Sequence, residues 1–480
     1  MKDMAMDGAH VVLLHSNDIH SRLEQAAKMA AYIDEARQTY GNDHVLTLDI
    51  GDHMDRMRVE TEASDGMVNI ELLNAAGYDA VTLGNNEGLT FTPEQLDAAF
   101  GERAKFPVVC ANLCRTADGT RPSWMLPYTI VEKAGLRFGI VGVTAAFAEF
   151  YTLLGWEATD PLEAVAEQTS RIRQQADIVI VMSHLGLRLD RQMAESIPGI
   201  DLVLGGHTHH LLEEPEIIGD TYVCATGKFG EYVGRVDIRV NAGTGRRSIQ
   251  VEVIPLAAYA EELQASVIIE ESLAASRHRL GRVIAVLDEP LPARIEQDSP
   301  LGNLLAAGLR RWTGSEIGLV NAGQLLGGLA SGEVTAGDLH ALCPSPINPC
   351  RMQLSGSDIR RSLEESLLRE FIDKPIRGFG FRGSVLGTLA VDGLEIRYDP
   401  ELPPYARIVS LTVNGLELRD DRSYSVGTID MFTFGVGYER IKNGTAFTYY
   451  LPEFIRNVLE RELCSSKAVA DSFRPRWTSD

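Results

Sequence analysis

Residues 200–210 read IDLVLGGHTHH, an apolar run that ends in two glycines and three histidines. The pattern predicts a buried strand followed by a loop in which the backbone is closely approached by other atoms. Six similar runs precede it, at residues 10–18, 44–52, 78–86, 106–113, 137–144 and 176–186. Helical patterns, with apolar residues at three- and four-residue spacing, lie between them at 21–41 and 161–176. This alternation predicts an α/β layered domain whose strands are buried on both faces.

Polar residues that can bind metal follow five of these runs, where open α/β sheets place their ligand sites. They are Asp18, His20, Asp52, Asn85, His184, His207 and His209. One such residue after a strand is most often a cap or a turn residue, but recurrence at five strand ends favours a site. Carboxylate, imidazole and amide donors without thiolate suit Mn, Fe, Zn or Co. Seven ligands exceed one tetrahedral site, so the pattern predicts two divalent metal ions that share a bridging carboxylate, with Asp52 as the candidate.

Length and charge restrict the domain count and the partners. A chain of 480 residues is too long for one ordinary core, so we expect at least two domains. The net charge of −22 argues against nucleic acid and against an anionic membrane as partners. It also means that an anionic substrate needs local positive charge, which metal ions would supply.

The location expected from the sequence is the cytoplasm. The apolar core of the N-terminus, residues 11–14, is too short for a signal peptide, and no apolar stretch is long enough for a transmembrane helix. The six cysteines show no CxxC spacing, which favours reduced thiols. The oligomeric state is left open.

The domain organisation is expected to have three parts. Residues 1–257 form the metal-binding domain, and the alanine- and glutamate-rich residues 258–282 form a connecting helix. Residues 283–480 mix helical and strand patterns and form a second, α+β domain.

Five short motifs carry a resemblance to a known family. DIH (18–20), GDH (51–53), GNNE (84–87), SHLG (183–186) and GGHTHH (205–210) look, in this order, like the calcineurin-like metallophosphoesterase superfamily. The arrangement is most similar to its cytoplasmic 5′-nucleotidase and 2′,3′-cyclic phosphodiesterase branch. The second half resembles the nucleotidase C-terminal domain through VNAG (320–323), SGEVTAGDL (331–339), CPSPINP (343–349), LSGSDIRRSLEESL (354–367) and GTIDMFTFGVGY (427–438).

The resemblance implies a fold, a reaction and a ligand set. The fold would be a four-layer α/β/β/α sandwich joined by a helix to a C-terminal α+β nucleotidase-type domain. The reaction would be hydrolysis of a small phosphate ester, a nucleotide monoester above all, because two cations polarise the phosphoryl oxygens and lower the pKa of a bridging water. One metal would be held by Asp18, His20, Asp52 and His209, and the other by Asp52, Asn85, His184 and His207.

The sequence departs from the family pattern after Asn85. The family usually has a histidine next and an aspartate three residues later, which together help protonate the leaving group, whereas this chain has Asn86 and Leu89. Asn86 can donate a hydrogen bond to a phosphoryl oxygen but cannot transfer a proton. General acid catalysis contributes roughly 10²–10⁴-fold, so a slower enzyme is expected. His210 and His53 are the candidate replacements for the proton donor, although both could equally be exposed loop residues.

The nucleotidase motifs also suggest substrate-binding residues, which are Asn321, Gly323, Phe381, Arg382, Phe434 and Tyr438. The arginine usual after NAG is replaced by QLLGG (324–328), and Arg382 is the candidate substitute. Phe381, with Phe432 or Phe434, would stack on a base, a contact worth about 1–3 kcal/mol, although packing in the core explains these phenylalanines equally well.

Two other functions agree with the same residues. A phosphodiesterase acting on cyclic nucleotides fits the missing arginine, because a diester carries less charge than a monoester. A metal-dependent nucleotide-binding protein with little turnover fits the missing histidine–aspartate pair.

Overall fold

The computed structural model describes residues 8–241, 243–244 and 246–479. Residues 1–7, at the start of the predicted first domain, lie outside the described part. The chain divides into two compact units, Met1–Ser276 and Arg277–Asp480. The division falls within a helix, Leu263–Leu280, that the predicted connecting segment contains. Among the described residues, no helix has both the length and the apolar character that a membrane span requires. The cytoplasmic location stays a prediction.

The first unit contains fifteen strands and most of nine helices among its described residues. The strands are β1 Gly8–Ser16, β2 Val45–Asp49, β3 Ala80–Val81, β4 Val108–Val109, β5 Leu113–Arg115, β6 Met125–Leu126, β7 Tyr128–Lys133, β8 Leu136–Thr144, β9 Trp156–Ala158, β10 Ile178–His184, β11 Leu202–Gly205, β12 Glu216–Ile218, β13 Thr221–Ala225, β14 Tyr232–Asn241 and β15 Arg247–Pro255. The helices are α1 Leu23–Tyr40, α2 Val59–Ser64, α3 Met67–Ala76, α4 Asn85–Thr90, α5 Pro93–Leu96, α6 Ala148–Leu153, α7 Pro161–Ile172, α8 Leu187–Ser196 and α9 Leu263–Leu280.

Two sheets make up the centre of this unit. One has the strand order β15-β14-β1-β2-β3-β4-β6 and the other β12-β13-β11-β10-β8-β7. Strands β1 to β4 run parallel in the first sheet, and β8, β10, β11 and β13 run parallel in the second. Parallel strands end at the same edge of their sheet, so the loops after β1, β2 and β3 lie together, as do those after β10 and β11.

The sheets pack face to face, and helices cover their outer faces. Leu13 and Leu48 of the first sheet share a buried core with Ile180 and Leu204 of the second. Helices α7 and α8 pack on the outer side of the second sheet, and α1 packs on the first. The predicted four-layer α/β/β/α sandwich is therefore confirmed.

The second unit is an α+β domain, as predicted. Its strands are β16 Val283–Leu287, β17 Ile317–Asn321, β18 Gly332–Thr335, β19 Pro349–Ser355, β20 Leu389–Asp392, β21 Leu394–Tyr398, β22 Ile408–Val413, β23 Leu416–Glu417, β24 Ser423–Ile429, β25 Thr445–Tyr449 and β26 Trp477–Ser479. Its helices are α10 Pro300–Thr313, α11 Ala336–Leu342, α12 Gly356–Glu365, α13 Arg369–Ile372, α14 Ile455–Leu463 and α15 Ser466–Ser472. The larger sheets have the orders β20-β17-β24-β19-β25 and β23-β22-β21-β26, and α10 packs against the first of them.

Candidate metal centre

The seven predicted metal ligands lie at the carboxyl ends of five strands. Asp18 and His20 follow β1, Asp52 follows β2, and Asn85 begins α4 after β3. His184 is the last residue of β10, and His207 and His209 follow β11. The first four therefore come from one sheet and the last three from the other, and the sandwich brings the two sets together.

Two overlapping groups of side chains place their ligand atoms within 4.8 Å of one another. One group is Asp18, His20 and His209, and the other is Asp18, Asp52 and His184. Asp52 directs Oδ1 to Nε2 of His184 at 3.4 Å and Oδ2 to Nε2 of His20 at 3.9 Å. Its two oxygens thus face both groups, which is the arrangement a bridging carboxylate needs.

The remaining two predicted ligands join the cluster as a pair. Nδ1 of His207 lies 2.7 Å from Oδ1 of Asn85, and the His207 ring lies 5.4 Å from the ring of His184. The structure therefore brings together all seven side chains, and their roles as ligands stay predictions.

The backbone at these residues is strained. Thirteen non-glycine residues in the described part of the chain have a positive φ, and five of them are Asp18, His20, Asp52, His207 and His209. Such conformations are unfavourable for residues with a side chain and concentrate at functional sites. The strain indicates that the loops adopt an unfavourable backbone conformation because this conformation places the side chains in the cluster.

His184 shows that the cluster fits a cation. Its Nδ1 donates a hydrogen bond to the carbonyl of Ile50 at 2.7 Å, which leaves Nε2 as the ring nitrogen that faces the cluster. This Nε2 is buried, has no hydrogen-bond partner in the part of the chain that the structure describes, and faces Asp52 at 3.4 Å and Asp18 at 3.9 Å. A ring nitrogen that faces two carboxylates needs positive charge beside it, either as a proton on Nε2 or as a bound cation.

Burial and the neighbouring charges also shift the pKa values of the residues in the cluster. Burial lowers the pKa of His184, but Asp52 and Asp18 overcome this effect and raise it to about 10. Burial raises the pKa of Asp52, but His184 and His20 bring it well below its usual range. For His207, burial and the neighbouring His184 lower the pKa to about 4. Asp52 therefore stays ionised and His207 stays neutral, the states in which both bind metal, whereas His184 carries a proton that a bound cation would replace.

Comparison with known proteins identifies the family. Residues 11–211 match calcineurin-like phosphoesterases, and residues 283–442 match the 5′-nucleotidase C-terminal domain. The metallophosphoesterase YunD of Bacillus subtilis (strain 168) is 36% identical over 458 residues, which cover 94% of this chain and 98% of that protein. The chain belongs to the calcineurin-like phosphoesterases. It is a metal-dependent phosphoester hydrolase.

Two solved structures share the fold of this phosphoesterase. The NAD nucleotidase of Haemophilus influenzae superposes with a TM-score of 0.68 at 16% identity, covering 98% of this chain and 99% of that chain. The 5′-nucleotidase precursor of Thermus thermophilus gives a TM-score of 0.60 at 21% identity, with 95% and 96% covered.

Glu87 is a positioning residue of the phosphoesterase that the sequence analysis did not single out. Its buried carboxylate accepts hydrogen bonds from the backbone N–H groups of Asp52, Met54 and Gly84, at 3.0, 2.8 and 2.8 Å. It thereby ties the loop that carries Asp52 to the start of α4. A glutamate three residues after the N-cap is a helix-start signal, and this signal could have identified it in GNNE.

Gly84 and the glycines of GGHTHH are required by close packing. A Cβ on Gly84 would lie 2.1 Å from Oδ1 of Asp52, and one on Gly206 would lie 3.0 Å from Nδ1 of His184. The close backbone approach predicted from the two glycines before the histidines is confirmed.

The three candidates for proton transfer lie in different surroundings. Nδ2 of Asn86 donates to the carbonyl of Met54 and lies 3.0 Å from Nδ1 of His20, so its amide is already engaged. His53 is buried beside Asn69, and burial lowers its pKa to about 3, which leaves it neutral. His210 is exposed, with Nδ1 2.8 Å from the hydroxyl of Thr208. The alternative that His53 is an exposed loop residue is therefore wrong. Of the three candidates, only His210 is exposed.

We expect Asn86→Ala to weaken metal binding about 10–100-fold, because the amide holds the ring of His20 and partners of this kind tune metal ligands. The measurement is calorimetric titration of Mn²⁺ into metal-free protein. Asn74→Ala, which removes an amide that donates to the backbone of Arg103, is the control and should leave affinity unchanged. Equal Mn²⁺ affinity in Asn86→Ala and wild type would contradict the positioning role.

The predicted substrate-binding residues in the second unit are mostly buried. Asn321 donates to the carbonyl of Leu386, a Cβ on Gly323 would lie 2.0 Å from the carbonyl oxygen of Val385, and the hydroxyl of Tyr438 donates to Gly387. These residues and Phe381 are buried in the core of the unit. Arg382 is half-buried, and its backbone N–H donates to Ser345.

Phe434 is the exposed member of the predicted set. Its side chain is 44% exposed and lies against Phe379, which is 52% exposed, with ring centroids 5.8 Å apart. The motifs predict Phe381 as the aromatic partner, whereas the exposed pair is Phe379 and Phe434. Phe379 and Phe381 lie in one GFGF stretch, and the pattern alone does not tell which of them faces solvent.

Proposed function

We propose that the chain hydrolyses nucleotide phosphomonoesters with two divalent metal ions. The observation that carries the metal-dependent chemistry is Nε2 of His184, which is buried without a partner and faces two carboxylates. When bound there, divalent ions polarise phosphoryl oxygens and lower the pKa of a water molecule. The role of the chain is to hold seven donors in place through strained backbone and through Glu87.

The nucleotide part of the proposal is supported by the second unit. It matches the 5′-nucleotidase C-terminal domain, and two proteins of the same fold are a 5′-nucleotidase precursor and an NAD nucleotidase. The Phe379–Phe434 pair offers an exposed aromatic surface of the kind on which a base stacks. Phe379 has a φ of +54°, which is strained for a bulky residue and agrees with a functional position.

We expect AMP to be hydrolysed with a higher kcat/KM than ribose 5-phosphate in the presence of Mn²⁺. Phe434→Ala should remove a stacking contact worth about 1–3 kcal/mol, which lowers kcat/KM for AMP roughly five- to hundredfold. The kcat/KM for ribose 5-phosphate should not change. Released phosphate is the readout. Phe473→Leu, which shortens a half-buried ring packed against the core of the same unit, is the control for general damage to the unit.

Failure of these outcomes would separate two parts of the proposal. No hydrolysis of either ester with Mn²⁺, Co²⁺ or Zn²⁺ would refute the monoesterase. Equal kcat/KM for AMP and ribose 5-phosphate would refute the nucleotide preference alone.

A phosphodiesterase for cyclic nucleotides is the second candidate. It is favoured by Gln324, which stands after NAG, is fully buried and donates to Oδ1 of Asn321, so it offers no positive charge to a monoester. Faster hydrolysis of bis(p-nitrophenyl) phosphate than of p-nitrophenyl phosphate would favour this candidate.

A further inference from the structure

A strained loop lies beside the candidate metal centre. In Gly227–Gly230, the φ values are +74° at Gly227, +62° at Phe229 and +65° at Gly230. The N–H of Phe229 donates to the carbonyl of Asp18 at 2.7 Å, and the side chain of Asn17 donates to the carbonyl of Gly227 at 2.8 Å. A phenylalanine in the left-handed region is a conformational outlier. The loop is thus held in an unfavourable conformation by the segment that carries Asp18.

Two cations, Arg22 and Lys228, lie on the ring of Phe229, which contacts the predicted ligand His20. Its ring meets the ring of His20 edge-on, with centroids 5.8 Å apart. The guanidinium carbon of Arg22 lies 4.8 Å from the centroid of the Phe229 ring, and Nζ of Lys228 lies 4.6 Å from it. Both cations are therefore positioned by the same ring, at the edge of the cluster.

These cations form no salt bridge among the described residues, although Arg22 interacts at longer range with Glu24, which is paired with Arg58. Arg22 is exposed and Lys228 is half-buried, and neither forms an ion pair there. Nearby Arg56 and Arg58 are paired, with Glu62 and with Glu24 and Glu60 respectively. In a chain of net charge −22, two unpaired cations on one ring leave a local positive region that an anion would neutralise.

An aromatic side chain lies beside another predicted ligand, His207. The ring of Phe147 lies 5.9 Å from the ring of His207, and Phe147 is half-buried. The His20 side therefore offers positive charge and the His207 side offers an aromatic surface. A substrate with a second charged group would be oriented by this difference.

We propose that Arg22 and Lys228 bind a second phosphate of the substrate, next to the phosphate that is hydrolysed. The substrate class is then nucleotides that carry two phosphate groups. This inference rests on the proposed metal-dependent hydrolysis at the same cluster.

The test compares two ligands that cannot be hydrolysed. Phenylphosphonate has one anionic group. In 1,4-benzenediphosphonate a rigid ring holds a second phosphonate too far from the first for both to bind the same metal ion. Calorimetry with the Mn²⁺-loaded protein should show the diphosphonate binding about tenfold tighter or more, the range expected of charge-assisted hydrogen bonds. In the double variant Arg22→Gln/Lys228→Gln, this ratio should fall to about one, with phenylphosphonate affinity unchanged.

The control removes the same charge elsewhere. Arg103→Gln/Lys105→Gln changes two exposed cations that precede β4, at the opposite sheet edge from the cluster, and should keep the wild-type ratio. An unchanged ratio in the Arg22/Lys228 variant would overturn the proposal. An equal loss of affinity for phenylphosphonate and for the diphosphonate would also overturn the proposal, because the cations would then act on the metal centre and not on the second phosphate.

Failure of the proposed hydrolysis gives a different result. If the wild type hydrolyses no monoester at all, the proposed function is refuted, whereas the ratio of phosphonate affinities still decides whether the cation pair binds a second anion.

Discussion

Asp52→Asn is expected to lower kcat/KM for phosphate-ester hydrolysis by roughly 10³-fold or more. Its carboxylate faces both groups of candidate ligands, with one oxygen towards His184 and the other towards His20. Metal ions supply several kcal/mol of charge stabilisation, and about 4 kcal/mol corresponds to roughly 10³-fold. An asparagine keeps the shape of the side chain but removes the charge that holds a cation between the two groups.

Two measurements test this expectation, and only one depends on turnover. The rate of p-nitrophenyl phosphate hydrolysis in Mn²⁺ gives the loss of activity. Elemental analysis of the purified variant should show less bound metal per chain than the wild type. Full metal content together with full activity would exclude Asp52 as a shared ligand.

Asp49→Asn is the matched control for the same chemical change. Asp49 is fully buried three residues earlier, where it accepts hydrogen bonds from the hydroxyl of Ser16 and from the N–H of Gly51. Burial raises the pKa of Asp49 to about 8, so its side chain is mostly protonated at pH 7. Replacing a neutral acid by a neutral amide should change activity little.

The candidate metal ligands could be predicted to lie together because each of them directly follows an apolar run. The runs at 10–18, 44–52 and 176–186 became β1, β2 and β10, and the polar residue at each end lies in the cluster. What the spacing alone could not show is that β1 to β3 and β10 to β11 belong to different sheets. That information came from the family resemblance, because the contact between two sheets depends on side chains distant in sequence.

Strand length and side-chain exposure were less predictable. The runs at 78–86 and 106–113 form strands of only two residues each, Ala80–Val81 and Val108–Val109, since the backbone turns away to place Asn85 and to approach β8. The exposure of Phe379 and the burial of Phe381 depend on a loop with positive φ at Gly378, Phe379 and Gly380. No periodic pattern exists in such a loop, so the sequence did not distinguish the two rings.

The role of Asn86 shows a further limit of sequence reasoning. The replaced histidine pointed to lost proton transfer, but the sequence gives no indication that the amide would contact His20 and Met54. A substitution in a motif shows which chemistry is missing. The contacts of the new side chain are determined by the folded loop.

His15→Leu is expected to stabilise the first unit, and by more at acidic pH than at neutral pH. His15 lies on β1 opposite Gly234 of β14, is 1% exposed, and has both ring nitrogens buried without a hydrogen-bond partner. A Cβ on Gly234 would lie 2.0 Å from Nε2 of His15, so the ring fills the space that the glycine leaves. A buried polar group without a partner destabilises the fold by about 1–3 kcal/mol, which leucine avoids.

The pH dependence follows from the low pKa of the buried ring. Burial lowers the pKa of His15 to about 3, whereas histidine in an unfolded chain titrates near 6.5. Between these values the unfolded state binds more protons than the folded state, so stability falls as the pH falls from 6.5 towards 3. Each pH unit in this window is worth about 1.4 kcal/mol, so the advantage of leucine should grow by about 2–3 kcal/mol between pH 7.5 and pH 4.5.

Hydrogen exchange of the β1 amides is the suitable measurement, because a chain with two units need not unfold in one step. It should be made on metal-free protein with a chelator, since protonation of the ligands couples metal binding to pH. His210→Gln removes an exposed histidine of the same unit and should give a pH profile parallel to that of the wild type. Parallel profiles for His15→Leu and the wild type would show that the buried ring takes up its proton as readily as an exposed one, contrary to the expected effect of burial.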